Sequence, residues 1–145
     1  SRELILQDVE NVNEFLASEN YTQLVLAGES LGSAVAAYHS SLVDEDKLLL
    51  IAPFDDLANV GRKYFPYFPT FLLRERYRTV DWIGDVRDVL ILHGRDDSII
   101  PVALARSLFA QIQISEKQML EIPGADHNDL YDFFESYQAI INYLK

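Results

Sequence analysis

The pentapeptide Gly28-Glu29-Ser30-Leu31-Gly32 places a serine between two glycines, and the chain has no cysteine, so serine is the expected nucleophile for any acyl-transfer chemistry. In a G-x-S-x-G turn joining a strand to a helix, the serine is forced into a strained backbone conformation and its Oγ is lifted above the sheet. The next amide, here that of Leu31, is left at a helix N-terminus, where it can hold a developing oxyanion. Gly28 and Gly32 are expected where a Cβ would collide with neighbouring backbone. The competing reading is a glycine-rich turn with an incidental serine. The second segment is His93-Gly94-Arg95-Asp96-Asp97-Ser98-Ile99-Ile100-Pro101. A carboxylate here could accept the Nδ1–H of a histidine, fix its tautomer and stabilise the imidazolium formed when serine gives up its proton. Asp97 fits the acid position of the pattern H-G-x-x-D-x-x-[VI]-P, with Asp96 as the alternative, and His93 reads as a structural hydrogen-bonding residue. The third segment, Pro123-Gly124-Ala125-Asp126-His127-Asn128-Asp129, offers His127 as general base. His39 lacks any such partner segment and reads as packing.

These three segments need a scaffold that brings them to one place, and the periodicity supplies it. Ile5, Val9, Val12 and Leu16 repeat at helical spacing with acids between them, which predicts an amphipathic helix over 2–18, with Asn20 as a stop. Gln23–Ala27, Lys47–Ala52 and Val89–His93 are short apolar runs that predict strands buried on both faces of a parallel sheet, with Gln118–Ile122 as a shorter one. Ser33, Ala34, Ala36 and Ala37 predict a closely packing helix, and Pro101 opens another in which Val102, Ala105, Leu108 and Ile112 share a face. A closing helix carries Leu130, Phe134, Tyr137, Ile141 and Leu144 on one stripe. Strands alternating with helices imply a three-layer α/β architecture with a mostly parallel sheet. In such sheets active-site groups collect at the carboxyl ends of the strands, where all three segments fall.

The stretch 54–85 breaks the alternation. It is dense in aromatics and prolines, and five of the twelve basic residues lie between Arg62 and Arg78, where Glu75 is the only acid. An insertion of this length in a compact domain reads as a lid.

Composition bounds the rest. A chain of 145 residues, 49% apolar, forms one domain with a core of its own. The net charge of −11 argues against a nucleic-acid partner. Apolar runs fall well short of the roughly 18 residues of a membrane span. There is no H-E-x-x-H, no C-x-x-C, no closely spaced histidine pair and no phosphate-binding glycine loop, so neither a metal nor an organic cofactor is expected. The doublet Asp55-Asp56 and the triplet Asp44-Glu45-Asp46 read as solvated loop and helix-end residues.

The helix before the nucleophile strand, GESLG, KLLLIAP, HGRDDSIIP and PGADHNDL together make the chain closely resemble the second half of an α/β-hydrolase domain. The character of 52–77 is similar to the small-lidded serine hydrolases that include lysophospholipid lipases and protein depalmitoylases. The resemblance implies a serine hydrolase of small-molecule carboxylic esters or thioesters, with Ser30, Asp97 and His127 as triad and the Leu31 amide in the oxyanion hole. Phe65, Phe68 and Phe71 would line an apolar acyl slot, and the arginines around them would lie near a headgroup or anionic membrane surface. A serine peptidase of the prolyl-oligopeptidase type and a non-catalytic binding module on the same fold remain alternatives. Members of this superfamily carry four further strands before this point, and a loop there supplies the second oxyanion donor. The chain opens on Ser1 and a helix, so it is expected to be an N-terminally truncated part of such a domain, with little hydrolase activity alone. The expected location is the cytoplasm, with any membrane attachment through a part N-terminal to this stretch.

Overall fold

A computed structural model of the chain describes residues 1–43, 47–67, 69, 76–83 and 86–145. Four strands, β1 (Val25–Glu29), β2 (Lys47–Ile51), β3 (Asp88–Gly94) and β4 (Glu116–Ile122), form one sheet in the order β1-β2-β3-β4, every pair parallel. Around them run α1 (Arg2–Ala17), α2 (Leu31–Ser40), α3 (Leu57–Tyr64), α4 (Val102–Gln111) and α5 (Phe134–Tyr143). This is the three-layer α/β arrangement that the alternation predicts.

The apolar runs explain the layering. In β2 and β3 successive residues point to opposite faces and both faces are buried: Leu48, Leu50, Val89 and Ile91 pack with Ala36, Ala105, Leu108 and Ile112 of α2 and α4, while Leu49, Ile51, Leu90 and Leu92 pack with Leu130 and Tyr143 on the α5 side. Tyr143 fastens α5 to the sheet. Its hydroxyl accepts from the Leu48 N–H at 3.1 Å and donates to the Asp88 carbonyl at 2.7 Å. Burial and the nearby Asp88 carboxylate both raise its pKa, so the phenol keeps that proton.

Several expectations are corrected. β1 is not buried on both faces: Leu26 is buried but Ala27 is exposed, because β1 is the outermost strand and the α5 layer covers its neighbours instead. It also runs two residues further than the apolar run, through Gly28 and Glu29, because its register with β2 continues to Glu29–Ile51. β4 is longer than its apolar core, since backbone pairing with β3 extends through the charged residues Glu116 and Lys117. On α1 the stripe buries only Val9, and the helix stops at Ala17, short of Asn20. On α5 the expected stripe points largely outward, with Phe134 71% exposed; the packed face is Phe133, Ala139, Ile140 and Tyr143. The stretch 54–85 holds helix among its described residues. It contains α3, whose N-cap Asp56 accepts from the Ala58 N–H at 2.9 Å. Asp55 is buried rather than solvated, and its carboxylate takes hydrogen bonds from Asn59 Nδ2 and from Ser107 Oγ at 2.8 Å. Asp44, Glu45 and Asp46 lie outside the described residues. His39 packs as expected; its Nε2 is buried with no partner among the described residues, and burial lowers its pKa.

The two glycines of the pentapeptide differ. A Cβ on Gly28 would lie 2.1 Å from the Gly32 carbonyl oxygen, so strand and helix can approach only over a glycine at 28. A Cβ on Gly32 would meet nothing within 4 Å, so the expected collision there does not exist. Gly28→Ala is therefore expected to lower unfolding stability by about 1–3 kcal/mol or more through overpacking against backbone. Gly32→Ala should leave stability within about 1 kcal/mol of the parent or raise it, because alanine is the better helix former. Paired urea melts of the two variants read the contrast, and equal losses would contradict it.

Candidate active site

The parallel register carries the site. β1 ends level with the end of β2, and both β3 and β4 end at that same side of the sheet, so the turns after β1, β3 and β4 emerge together. Each strand end is hooked to its neighbour: Ser30 N–H donates to the Ile51 carbonyl at 2.9 Å, Ala52 N–H to Leu92 at 2.8 Å and Arg95 N–H to Ile122 at 2.9 Å.

Ser30 stands on the turn between β1 and α2 at φ 52°, ψ −122°, a left-handed conformation rare for a residue with a Cβ. Its carbonyl is pinned by Ser33, which donates from its N–H at 3.0 Å and from its Oγ at 2.6 Å. Leu31 is the first residue of α2, so its N–H has no acceptor within the helix and lies where the helix dipole is positive.

Ser30, Asp97 and His127 are brought together. His127 Nε2 lies 3.1 Å from Ser30 Oγ, and His127 Nδ1 lies 2.8 Å from Asp97 Oδ2. Asp97 and His127 are buried. The other oxygen of Asp97, Oδ1, accepts the N–H groups of Ile99 at 2.9 Å and Ile100 at 2.6 Å. Burial alone would raise the Asp97 pKa. The hydrogen bonds from His93 and His127, the Ile100 amide and the charge of His127 outweigh it and bring the carboxyl down to about 2. An anionic carboxylate on Nδ1 fixes the imidazole tautomer that presents a bare Nε2 to a hydroxyl. Asp96, the alternative acid, is turned away: its Oδ2 accepts the Gly124 N–H at 3.1 Å.

The sequence did not disclose what holds the two loops in register. Asp126 Oδ1 accepts the N–H of Ser98 at 2.6 Å and of His127 at 2.7 Å, and its Oδ2 accepts from Ser98 Oγ at 3.0 Å. Backbone hydrogen bonds from Ser98 and His127 lower its pKa. An acid immediately before the candidate histidine is a local signal for such a turn. Tyr131 makes a second clasp, donating to Glu29 Oε2 at 2.7 Å; burial and then Glu29 push its phenol up to about 12. No sequence pattern links positions so far apart. Tyr64 at the end of α3 donates to the Ile99 carbonyl at 2.9 Å, and the Lys63 ammonium donates to the Ser98 carbonyl, which seats α3 on the acid loop. Phe65, the next residue, is 68% exposed. Phe68 and Phe71 lie outside the described residues. Arg76 pairs with Asp56, and Arg78 with Asp81 at 3.2 Å. Among the described residues no helix is long and apolar enough to cross a membrane, and no group of histidines and acids has the arrangement of a metal site.

No protein-family model matches the chain. In sequence it is similar to an uncharacterized protein of Mycobacterium tuberculosis H37Rv (31% identity over 134 residues, 89% of this chain and 47% of the relative). It is also similar to the uncharacterized protein YfhR of Salmonella typhi (28% over 165 residues, 100% and 56%) and to an uncharacterized membrane protein of Saccharomyces cerevisiae (31% over 132 residues, 84% and 46%). The chain thus spans about half the length of the curated relatives it matches. Its fold is similar to a monoacylglycerol lipase of Paleococcus ferrophilus (TM-score 0.70, 19% identity, 99% of this chain and 75% of that one). It is likewise similar to Est1E from Butyrivibrio proteoclasticus (0.69, 16%, 96% and 69%) and to an esterase domain from Rhodothermus marinus (0.64, 20%, 84% and 58%). The fold is that of the α/β-hydrolases.

The depressed pKa of Asp97 ties stability to acid pH. Its folded value of about 2 lies below the unfolded carboxylate value of about 3.9, so its contribution is fully present above about pH 4 and is lost as pH falls towards 2. Urea midpoints between pH 5 and pH 2 should fall less steeply for Asp97→Asn than for the parent chain. Parallel profiles would show that this carboxylate does not carry the acid sensitivity.

Proposed function

We propose that this chain carries the catalytic centre of a serine hydrolase of carboxylic esters or thioesters that works through an acyl-enzyme. The observation that supports it most is the chain Ser30 Oγ, His127 Nε2 and Nδ1, Asp97 Oδ2, at 3.1 and 2.8 Å, with the serine on a strained turn at the mouth of the sheet. His127 takes the Ser30 proton as Oγ attacks the carbonyl carbon, and Asp97 stabilises the imidazolium without itself becoming protonated. The oxyanion of the tetrahedral intermediate is met by the Leu31 N–H. His127 then gives the proton to the leaving alkoxide or thiolate. Water repeats the sequence on the acyl-serine and restores the free hydroxyl. The fold neighbours named as esterases and a lipase agree with this chemistry.

For the substrate we favour an apolar acyl group. Leu31, which follows Ser30, and Ile99, two beyond Asp97, are exposed, as is Tyr64, which ends α3 and donates to the Ile99 carbonyl; Phe65 and Tyr67, next along the chain, are exposed as well. Exposed apolar side chains on the turns that carry Ser30 and Asp97 suit a ligand with a greasy tail. Arg76 and Arg78 are already paired with aspartates, which favours the apolar part of the substrate over an anionic headgroup as the recognised feature.

A fluorophosphonate probe is expected to label the full-length protein, and Ser30→Ala and His127→Ala to abolish labelling. Labelling of Ser30→Ala equal to wild type would end the proposal. Turnover of p-nitrophenyl esters should rise from acetyl towards octanoyl; a steady fall along that series would exclude the apolar acyl slot and leave the hydrolase assignment standing.

A further inference from the structure

His93 lies at the end of β3 with its side chain fully buried, four residues before Asp97. Its Nε2 is 2.9 Å from the Ile100 carbonyl oxygen and 3.2 Å from Asp97 Oδ2. Both neighbours are acceptors, so Nε2 must carry the proton. Nδ1 is buried and has no partner among the described residues, so a proton there would be unsatisfied. The contacts therefore call for a proton on Nε2, a donor held between a carbonyl and the carboxylate.

We propose that His93 is a positioning residue for Asp97: its Nε2–H holds Oδ2, the oxygen that also receives the His127 Nδ1–H, and so sets both the orientation of the carboxylate and the share of its charge that reaches His127. The geometry divides the carboxylate cleanly. Oδ1 is taken by the Ile99 and Ile100 amides, and Oδ2 is shared between two imidazoles. Were His93 absent, Oδ2 would have one donor rather than two, the carboxylate could rotate about its bond to Cβ, and more of its charge would fall on His127. Among the described residues the titratable groups facing this pair include His93 from β3, and His127 and Asp126 from the loop after β4, with Asp126 a nearby like charge to Asp97; α3 brings Lys63 and Tyr64 to the Ser98 and Ile99 carbonyls of the same loop. The turn into α4, through Ile99, Ile100 and Pro101, adds only backbone donors and acceptors. Losing the His93 donor removes one of the hydrogen bonds that hold the Asp97 carboxyl down, so the acid limb of a rate that needs this carboxylate charged moves to higher pH.

The proposal rests on the hydrolase reading for its kinetic test and on none for its structural one. In the full-length wild-type protein, nitrogen NMR of the histidine rings should find His93 as the neutral Nε2–H tautomer; the Nδ1–H tautomer would overturn the proposal without any substitution. With p-nitrophenyl butyrate, His93→Leu should lose about tenfold in kcat, the worth of a hydrogen bond to a charged group, with KM little changed and the acid limb of kcat/KM moved upward in pH. His93→Gln, whose amide nitrogen lies the same number of bonds from Cβ as the ring Nε2, should recover most of the loss. A folded His93→Leu protein with wild-type kcat and an unmoved limb would overturn the proposal; if that variant does not fold, His93→Asn, whose amide is one bond too short to take the place of Nε2, is read in the same way. Wild-type protein inert to both ester and fluorophosphonate would count against the hydrolase reading, while an Nδ1–H tautomer of His93 would overturn the present proposal whatever the activity.

Discussion

A carboxylate sealed inside a protein is tolerated only if hydrogen bonds replace the water it has lost, and at Asp97 they come from both neighbouring loops. Two backbone amides of its own turn hold one oxygen; an imidazole from the end of β3 and another from the loop after β4 hold the second. The consequence runs in both directions. The loops that bear Asp97 and His127 must close on each other for the carboxylate to stay charged, and the charged carboxylate is what locks His127 with Nε2 towards Ser30. Asp126 repeats the device one layer further out. Its carboxylate accepts from Ser98 on the acid loop and from the His127 amide beside it, so the spacing between the loops is fixed by two carboxylates rather than by apolar packing alone.

What makes such short loops sufficient is the sheet beneath them. Parallel strands in sequential order deliver every strand-to-helix turn to one edge, and the hooks from Ser30 to Ile51, Ala52 to Leu92 and Arg95 to Ile122 carry the pairing past the strand ends into the turns themselves. Two neighbouring turns, at Ser30 and Ala52, pass through positive φ, with angles of 52° and 47°. Both residues have a Cβ, so both cost conformational energy, and each is held by a backbone hydrogen bond to the next strand.

Much of this was legible in sequence, for identifiable reasons. β2 and β3 announce themselves because burial on both faces leaves the unbroken apolar runs Leu48–Ala52 and Val89–Leu92, and the GESLG, HGRDDSIIP and PGADHNDL segments mark their turns because each requires particular residues within a few positions. The failures have a common origin too. Ala27 belongs to an apolar run, and the Ile5–Leu16 stripe of α1 and the Phe134 stripe repeat at helical spacing, but such patterns report only that a face is apolar and do not say what covers it. α3 is hard to read from sequence because it is only eight residues long and contains a glycine; its apolar face and Asp56 as its N-cap are the available signals. Asp55 was misread because its partners, Asn59 and Ser107, belong to two other elements.

The site itself divides along the same line. The identities of Ser30, Asp97 and His127 follow from local pattern, whereas Asp126–Ser98, Tyr131–Glu29 and His93–Asp97 are pairings that local pattern did not disclose. In the first two pairs the partners come from different parts of the chain, Asp126 and Ser98 from two loops, and Glu29 from the end of β1. His93 and Asp97 are only four residues apart, yet the glycine turn between them must fold His93 back under its own loop before the contact exists. That turn is possible because Gly94 has no Cβ: one placed there would lie 2.4 Å from the Ala125 carbonyl, the backbone of the histidine loop. A single missing methyl group thus lets the ends of β3 and β4 approach closely enough for one carboxylate to serve both imidazoles.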